Sequence, residues 1–250
     1  VHAGHEEAAS GKSGDIWPSR QGFTTAVNGF TGGIVIAVKA TDSEGNTLDV
    51  FGGFCHEFGH ELGLPDLYNT STGNSVVGKW CLMDQGSWNG SPHGSKPPHL
   101  SAWCKQLLGW VSPNIIDETT KYFYVYDIEQ NKKDSLYMFP ILNSPTEYFL
   151  MEYRRKQLYD DELPGEGILI WHIDDMIGRL TDNSVNSNLY YNRVKLVEAD
   201  GVYSVDKDYG SNADTFKNMN NIFISSGITF TGFSELGSSY MIVYKMARTT

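Results

Sequence analysis

The chain has 250 residues, a formal net charge of −11 at pH 7, 40% hydrophobic residues and 20% charged residues. This composition is globular rather than disordered, and the length suits one large domain or two small ones that need neither metal nor disulfide merely to fold. The acidic balance excludes a sequence-independent grip on phosphate backbones, so nucleic acid is not an expected partner, and no apolar run approaches the roughly 18 residues of a membrane span. Twenty-six glycines and an aromatic content of 13% favour strands and turns over a helix bundle.

The first thirty residues read as loop with short ordered pieces. The chain begins at Val1 and is read as trimmed, so any targeting segment would lie outside it. Ile34–Val38 is the clearest early strand, and Asp42–Asn46 reads as a turn. Phe51, Phe54, Cys55, Phe58 and Leu62 repeat at helical spacing and predict a helix over 51–62 with an apolar, core-facing stripe. Gly63 and Pro65 supply its stop. Two polar loops, 69–78 and 85–98, precede a second helix over 99–108, whose stripe is Leu100, Trp103, Cys104, Leu107 and Leu108. Pro113 marks the best internal boundary. Beyond it, strands are predicted at 122–128, 135–139, 148–153, 167–173, 194–197, 222–225 and 239–245.

Chemistry concentrates in the first helix, at His56-Glu57-Phe58-Gly59-His60. Residues four apart stack on one helix face, close enough for two imidazoles to reach one Zn²⁺. The helical wheel puts both histidines opposite the apolar stripe, facing a cleft or solvent. A solvated histidine pair is the plain alternative. The pattern continues to Gly63 and Asp66, giving HExxHxxGxxD. Gly63 lets the chain break out of the helix, and Asp66 can swing back as a third ligand, or else cap whatever follows the turn. Three protein ligands would leave a fourth position for water, as in catalytic zinc sites. Glu57 adjoins a ligand and is placed to act as general base.

The stretch HEFGHELGLPD resembles the zinc motif of metzincin-type metallopeptidases, specifically the immune inhibitor A family of bacterial secreted proteases. Leu82-Met83-Asp84-Gln85-Gly86-Ser87-Trp88 resembles that family's Met-turn, which implies that Met83 forms an apolar floor under the zinc. His99–Trp103 with Lys105 and Leu108-Gly109-Trp110 resembles the helix after that turn. His2-Ala3-Gly4, Glu6-Glu7 and Asp15-Ile16-Trp17 resemble the upstream segment. Glu147–Leu150 with Glu152 and Arg154, Leu163-Pro164-Gly165, Gly167–His172 with Asp174, and Glu198–Gly201 resemble the β-rich region downstream. The resemblance implies a secreted, cell-surface or periplasmic protein and calcium as a second cofactor. Metzincins usually have a histidine where Asp66 stands, although Asp fits this family, and a tyrosine that some of them place after the Met-turn methionine is missing. The 55 residues before His56 are short for such a domain, so residues 1–113 are read as a catalytic core that is either N-terminally truncated or a compact member of the family.

The expected fold is therefore α+β: a metzincin-like zincin core with a mixed sheet, active-site helix, Met-turn and C-terminal helix over 1–113. A β-rich, sandwich-like region over 114–250 would be packed on it or follow it. The expected function is zinc endopeptidase activity on extended protein or peptide substrates. A degenerate zinc-binding or adhesive module and a small-amide hydrolase are the competing readings. Loop 85–98, with Trp88 and His93, is expected to border the cleft. Calcium would draw on Asp160-Asp161-Glu162, on Asp174-Asp175 with Asp182 and Asn183, or on Asp206–Asp214, each of which also reads as a solvated acidic face. His172, His2 and His5 read as structural. Cys55 and Cys104 read as small core residues, and the three cysteines make neither a CxxC pair nor a disulfide framework.

Overall fold

The computed structural model describes residues 19–27, 30–36, 49, 51–116, 122–130, 133–141, 143–188, 190–201, 209–218, 223–225 and 228–246. It is a mixed α+β structure with few helices. Strands β1 (Ser19–Val27) and β2 (Phe30–Ile36) form an antiparallel pair, and helix α1 (Phe51–Glu61) follows. The predicted loop at the start of the chain thus contains a nine-residue strand, and among the described residues the mixed sheet is the one downstream. Residues 37–38 and the turn at 42–46 lie outside the described residues.

Local chemistry fixes both ends of α1. Asp49 Oδ1 accepts the Phe51 N–H at 2.9 Å, satisfying one of the orphan donors at the helix start. At the other end Leu64 N–H reaches back to the Gly59 carbonyl at 3.0 Å, with Gly63 at φ +97°. That is the glycine-turned stop the sequence predicts. The second helix, α2 (Ala102–Leu107), is shorter than predicted and begins at Ser101, whose side chain accepts the Cys104 N–H.

A five-stranded sheet forms the centre of the molecule. It comprises β3 (Asn114–Ile115), β5 (Leu136–Pro140), β6 (Glu147–Arg154), β7 (Gly167–Asp174) and β8 (Val194–Val197), in the order β3-β5-β6-β7-β8. Only the β3–β5 pair is parallel. A four-stranded antiparallel sheet has the order β4-β11-β10-β9, with β4 at Tyr122–Tyr126, β9 at Phe223–Ser225, β10 at Ile228–Glu235 and β11 at Ser239–Met246. Strand β10 was not expected. Its alternating Thr and Gly residues weaken the apolar signal, and its register slips between Phe230 and Gly232 as a bulge would make it.

The central sheet is buried on both faces, which explains the nearly unbroken apolar run of β7. One face carries Phe139, Phe149, Met151, Tyr153, Ile168 and Ile170 against Phe230, Phe233, Tyr240, Ile242 and Tyr244 of the smaller sheet. The other carries Leu136, Leu150, Leu169, Trp171 and Ile173 against Leu67, Trp80, Met83, Trp103 and Cys104. The apolar core beneath the HExxH segment is therefore shared by residues on both sides of Pro113.

A buried ionic bracket fastens α2 to that sheet. Lys105 Nζ meets Glu152 Oε2 at 2.6 Å, and the other Glu152 oxygen accepts Trp171 Nε1 at 3.0 Å and Ala102 N–H at 3.2 Å. Arg154 donates Nε and an Nη to Asp160 at 2.5 and 2.7 Å. Burial alone would raise Glu152, but the Lys105 and Arg154 charges overcome it and hold the carboxyl below the ordinary value. Glu152 and Arg154, singled out by the resemblance, are here the groups that satisfy each other inside the core.

Candidate active site

Helix α1 presents its polar side inward. Gly52, Glu57 and Gly59 are its buried residues, whereas Phe51, Phe54, Phe58 and Leu62 are 48, 47, 49 and 40% exposed. The expected core-facing stripe is therefore an exposed row, and Cys55 on its flank is only partly buried. The glycines supply the reason. A Cβ on Gly52 would lie 1.9 Å from the Ser87 carbonyl oxygen, and one on Gly59 would lie 2.6 Å from Met83 Sδ. The helix approaches its neighbours most closely where side chains are missing, and this turns the phenylalanines outward. They line an apolar groove of about 380 Å³ with Leu82, Pro97, Pro98 and Trp110.

Opposite that row, His56 and His60 stand edge to face with ring centroids 4.9 Å apart. Each imidazole is oriented by a backbone carbonyl. His56 Nδ1 donates to Leu82 O at 2.9 Å, and His60 Nδ1 donates to Leu64 O at 2.8 Å. Those bonds fix the tautomer and leave both Nε2 atoms as lone-pair donors. Both Nε2 atoms face Asp66 Oδ1, at 2.9 and 3.3 Å. The three donor atoms lie within 4.8 Å of one another, and this is the one such cluster of three or more His, Cys, Asp or Glu side chains among the described residues. With ligand arms of about 2.0–2.1 Å, neighbouring donors in a tetrahedral zinc site stand roughly 3.3 Å apart. The donor set could hold such an ion.

Charge reinforces the geometry. Burial pulls the His56 imidazole down, but the hydrogen bond and charge of Asp66 outweigh it and leave His56 raised. Burial likewise pushes Asp66 up, and the two histidines reverse this and hold it far below the usual carboxylate range. Tyr68 also bonds Asp66. Burial first, and then the carboxylate, push its phenol well above the usual value, so it stays a donor.

The other sequence-derived residues fall as follows. Glu57 is 9% exposed and lines the same cleft, about 740 Å³, as His56, His60 and Asp66. Met83 is fully buried beneath Gly59. Its loop is organised by Asp84, whose Oδ2 accepts from the Val76, Val77 and Gly78 N–H groups at 2.9, 2.7 and 3.1 Å. Burial pushes the Asp84 carboxyl up to about 6 against those donors. Leu67 N–H bonds the Met83 carbonyl at 2.8 Å, so the Asp66 segment lies against the methionine loop.

No residue of loop 85–98 is among those lining this cleft, and Pro97 and Pro98 line the apolar groove on the other side of α1. The opposite wall of the cleft is Leu180–Asn183, from the β-rich half. Sequence reading missed this wall as part of the site, because nothing in the pattern links residues more than a hundred positions apart.

Several of the groups considered for calcium are engaged in other contacts. Asp160 pairs with Arg154, Asp175 with Arg193, Asp182 with Ser184 and Asn183 with Asp66. His172 bonds Glu147 at 3.1 Å and packs on Phe149. Cys55, Cys81 and Cys104 are free thiols. His2, His5, the upstream segment Ala3–Trp17 and Asp206 lie outside the described residues.

Two imidazoles and a carboxylate converging on one point, open to a cleft and flanked by a buried glutamate, are a donor set that could hold a single metal ion. Residues 1–111 match the family model described as the immune inhibitor A peptidase M6 catalytic domain. The pre-pro-metalloprotease PrtV of two Vibrio cholerae serotype O1 strains is 47% identical over 64 residues, which covers 24% of this chain and 7% of that protein. Immune inhibitor A of Bacillus thuringiensis subsp. alesti is 35% identical over 123 residues, covering 43% of this chain and 18% of that protein. The chain thus spans less than a fifth of the length of these curated relatives. Over residues 1–111 the chain is similar to the catalytic domain of the immune inhibitor A (M6) peptidases, and that stretch holds His56, Glu57, His60, Asp66 and Met83.

Proposed function

We propose that the chain carries the catalytic machinery of a zinc endopeptidase with a metzincin-like motif, acting on extended segments of protein substrates. In this reading His56, His60 and Asp66 hold the zinc, Glu57 is the general base, and Met83 is the apolar floor. The observation that carries it is the aim of His56 Nε2, His60 Nε2 and Asp66 Oδ1 at one point, with each Nδ1 already spent on a backbone carbonyl. When bound, zinc supplies Lewis-acid polarisation of the substrate carbonyl and acidification of water. Glu57 takes the proton of the attacking water and returns it to the departing amine nitrogen. Its low exposure keeps bulk water from competing for that proton. The walls at Tyr68 and Leu180–Asn183 confine the scissile segment.

The segments 1–113 and 114–250 work as one unit in this reading, the second supplying one wall of the cleft. The similarity to the immune inhibitor A peptidases over residues 1–111 supports protein substrates and a secreted or cell-surface setting. No described helix is long and apolar enough to cross a membrane.

The test is metal content together with cleavage of an unstructured protein such as casein, with and without chelator. One equivalent of zinc, chelator-sensitive cleavage, and a loss of about 10²–10⁴-fold in Glu57→Gln with zinc retained are expected. Full cleavage by zinc-loaded Glu57→Gln would remove the general-base role. Zinc binding without cleavage would point to a degenerate binding module.

A further inference from the structure

The Asp66 carboxylate is divided between two sets of partners. Its Oδ1 faces His56 and His60, and its Oδ2 accepts Asn183 Nδ2 at 2.6 Å. Asn183 Oδ1 in turn accepts the Asp66 backbone N–H at 2.7 Å. One amide therefore grips both the main chain and the side chain of the same residue. The amide orientation is fixed by chemistry, because an N–H can only donate and an ionised carboxylate can only accept. The two bonds form a bracket: turning the Asp66 carboxylate breaks one of them, and moving its backbone breaks the other.

Asn183 is itself held. It sits at φ +56°, a left-handed conformation that asparagine tolerates better than most residues. Its carbonyl accepts Thr70 Oγ1 at 3.1 Å, and Thr70 Oγ1 also contacts Ser187 Oγ at 2.6 Å. Asn186 of the same loop donates to Leu67 O at 2.8 Å and to Val194 O at 2.9 Å. The loop thus clasps residues 66–70 at successive points and is tied to β8 behind. Tyr68 also bonds Asp66, but among the described contacts only Asn183 reaches both the backbone and the carboxylate.

We infer that Asn183 is a positioning residue for the metal centre, holding Asp66 with Oδ1 turned toward the two histidines before any ion arrives. The inference rests on the proposed role of Asp66 as third ligand. An unbracketed Asp66 follows a helix break and must give up rotamer and backbone freedom on binding, and a pre-set carboxylate avoids that cost. Partners of this kind are worth about 10–100-fold in metal affinity.

The test is zinc affinity by chelator competition, alongside thermal unfolding of the metal-free chain, for the parent, Asn183→Ala, Asn183→Asp and Asp66→Ala. Asn183→Asp is the diagnostic variant. It keeps the size, the left-handed tolerance and the acceptor for Asp66 N–H, but it replaces the donor with an oxygen facing Asp66 Oδ2. The expected result is a loss of about 10–100-fold in affinity for Asn183→Ala and at least as much for Asn183→Asp, with the metal-free chains still folded. Parent-like affinity in Asn183→Asp, with Asp66→Ala strongly impaired, would overturn the positioning role and leave the ligand assignment standing. Parent-like affinity in Asp66→Ala would overturn the three-ligand reading, and the positioning role with it. A loss of affinity that merely tracks unfolding of the variants would also overturn it.

Discussion

Helices α1 and α2 have similar apolar stripes in sequence and opposite fates in the fold. In α2 the first part of the stripe is core: Leu100, Trp103 and Cys104 are buried, and even Lys105 is buried against Glu152, while Leu107 at the end of the helix is exposed. In α1 the stripe faces outward, and the buried positions are two glycines and a glutamate. A helix buries the face its neighbours can approach most closely, and hydrophobic periodicity reports that face only when ordinary side-chain packing sets the approach. In α1 the approach is set by missing side chains and by the need to bring imidazoles and a carboxylate to one cleft.

The contrast can be broken by mutation, taking the largest expected effect first. Trp103→Ala in α2 should cost about 3–5 kcal/mol in denaturant unfolding, as loss of a large core aromatic does. Gly52→Ala in α1 places a methyl 1.9 Å from a backbone carbonyl, which has no room to yield. Its cost should reach about 3 kcal/mol, the upper end of overpacking, although alanine is the better helix former. Gly59→Ala meets a thioether instead, at 2.6 Å. Met83 can partly move aside, so a cost of about 1–2 kcal/mol is expected, and the proposed role of Met83 as floor predicts a measurable drop in zinc affinity as well. Phe54→Ser on the outer row should cost less than about 1 kcal/mol. If thermal unfolding shows Phe54→Ser to be as damaging as Trp103→Ala, the outer row is a packed face and the comparison between the helices fails. Equal tolerance of alanine at positions 52 and 59 would show that close approach is not what orients α1.

Much of the site was legible in the sequence because it is local. His56, Glu57 and His60 occupy one helix, where spacing alone sets their relative direction, and Gly63 makes the turn that brings Asp66 back. The downstream strands were legible for a similar reason: aromatic and β-branched runs such as Tyr148–Tyr153 and Val194–Val197 match β6 and β8 closely. The misses have physical causes too. Strand β10 hid behind Thr and Gly, and β1 behind a polar sequence. Three glycines within an eleven-residue helix were a readable sign of close packing, since each costs about 1 kcal/mol against alanine and calls for a compensating contact.

The sequence by itself determined the donor types, their order and the helical register that puts two imidazoles on one face. Only the tertiary structure decided which side of α1 is inside, because that depends on what lies against Gly52 and Gly59. It alone decided that Glu152 and Arg154 are buried partners in the core, and that Asn183 reaches Asp66 from 117 residues away. Such contacts depend on where two sheets and a loop come to rest. Covalent spacing sets direction within one element, whereas approach between elements is set by packing.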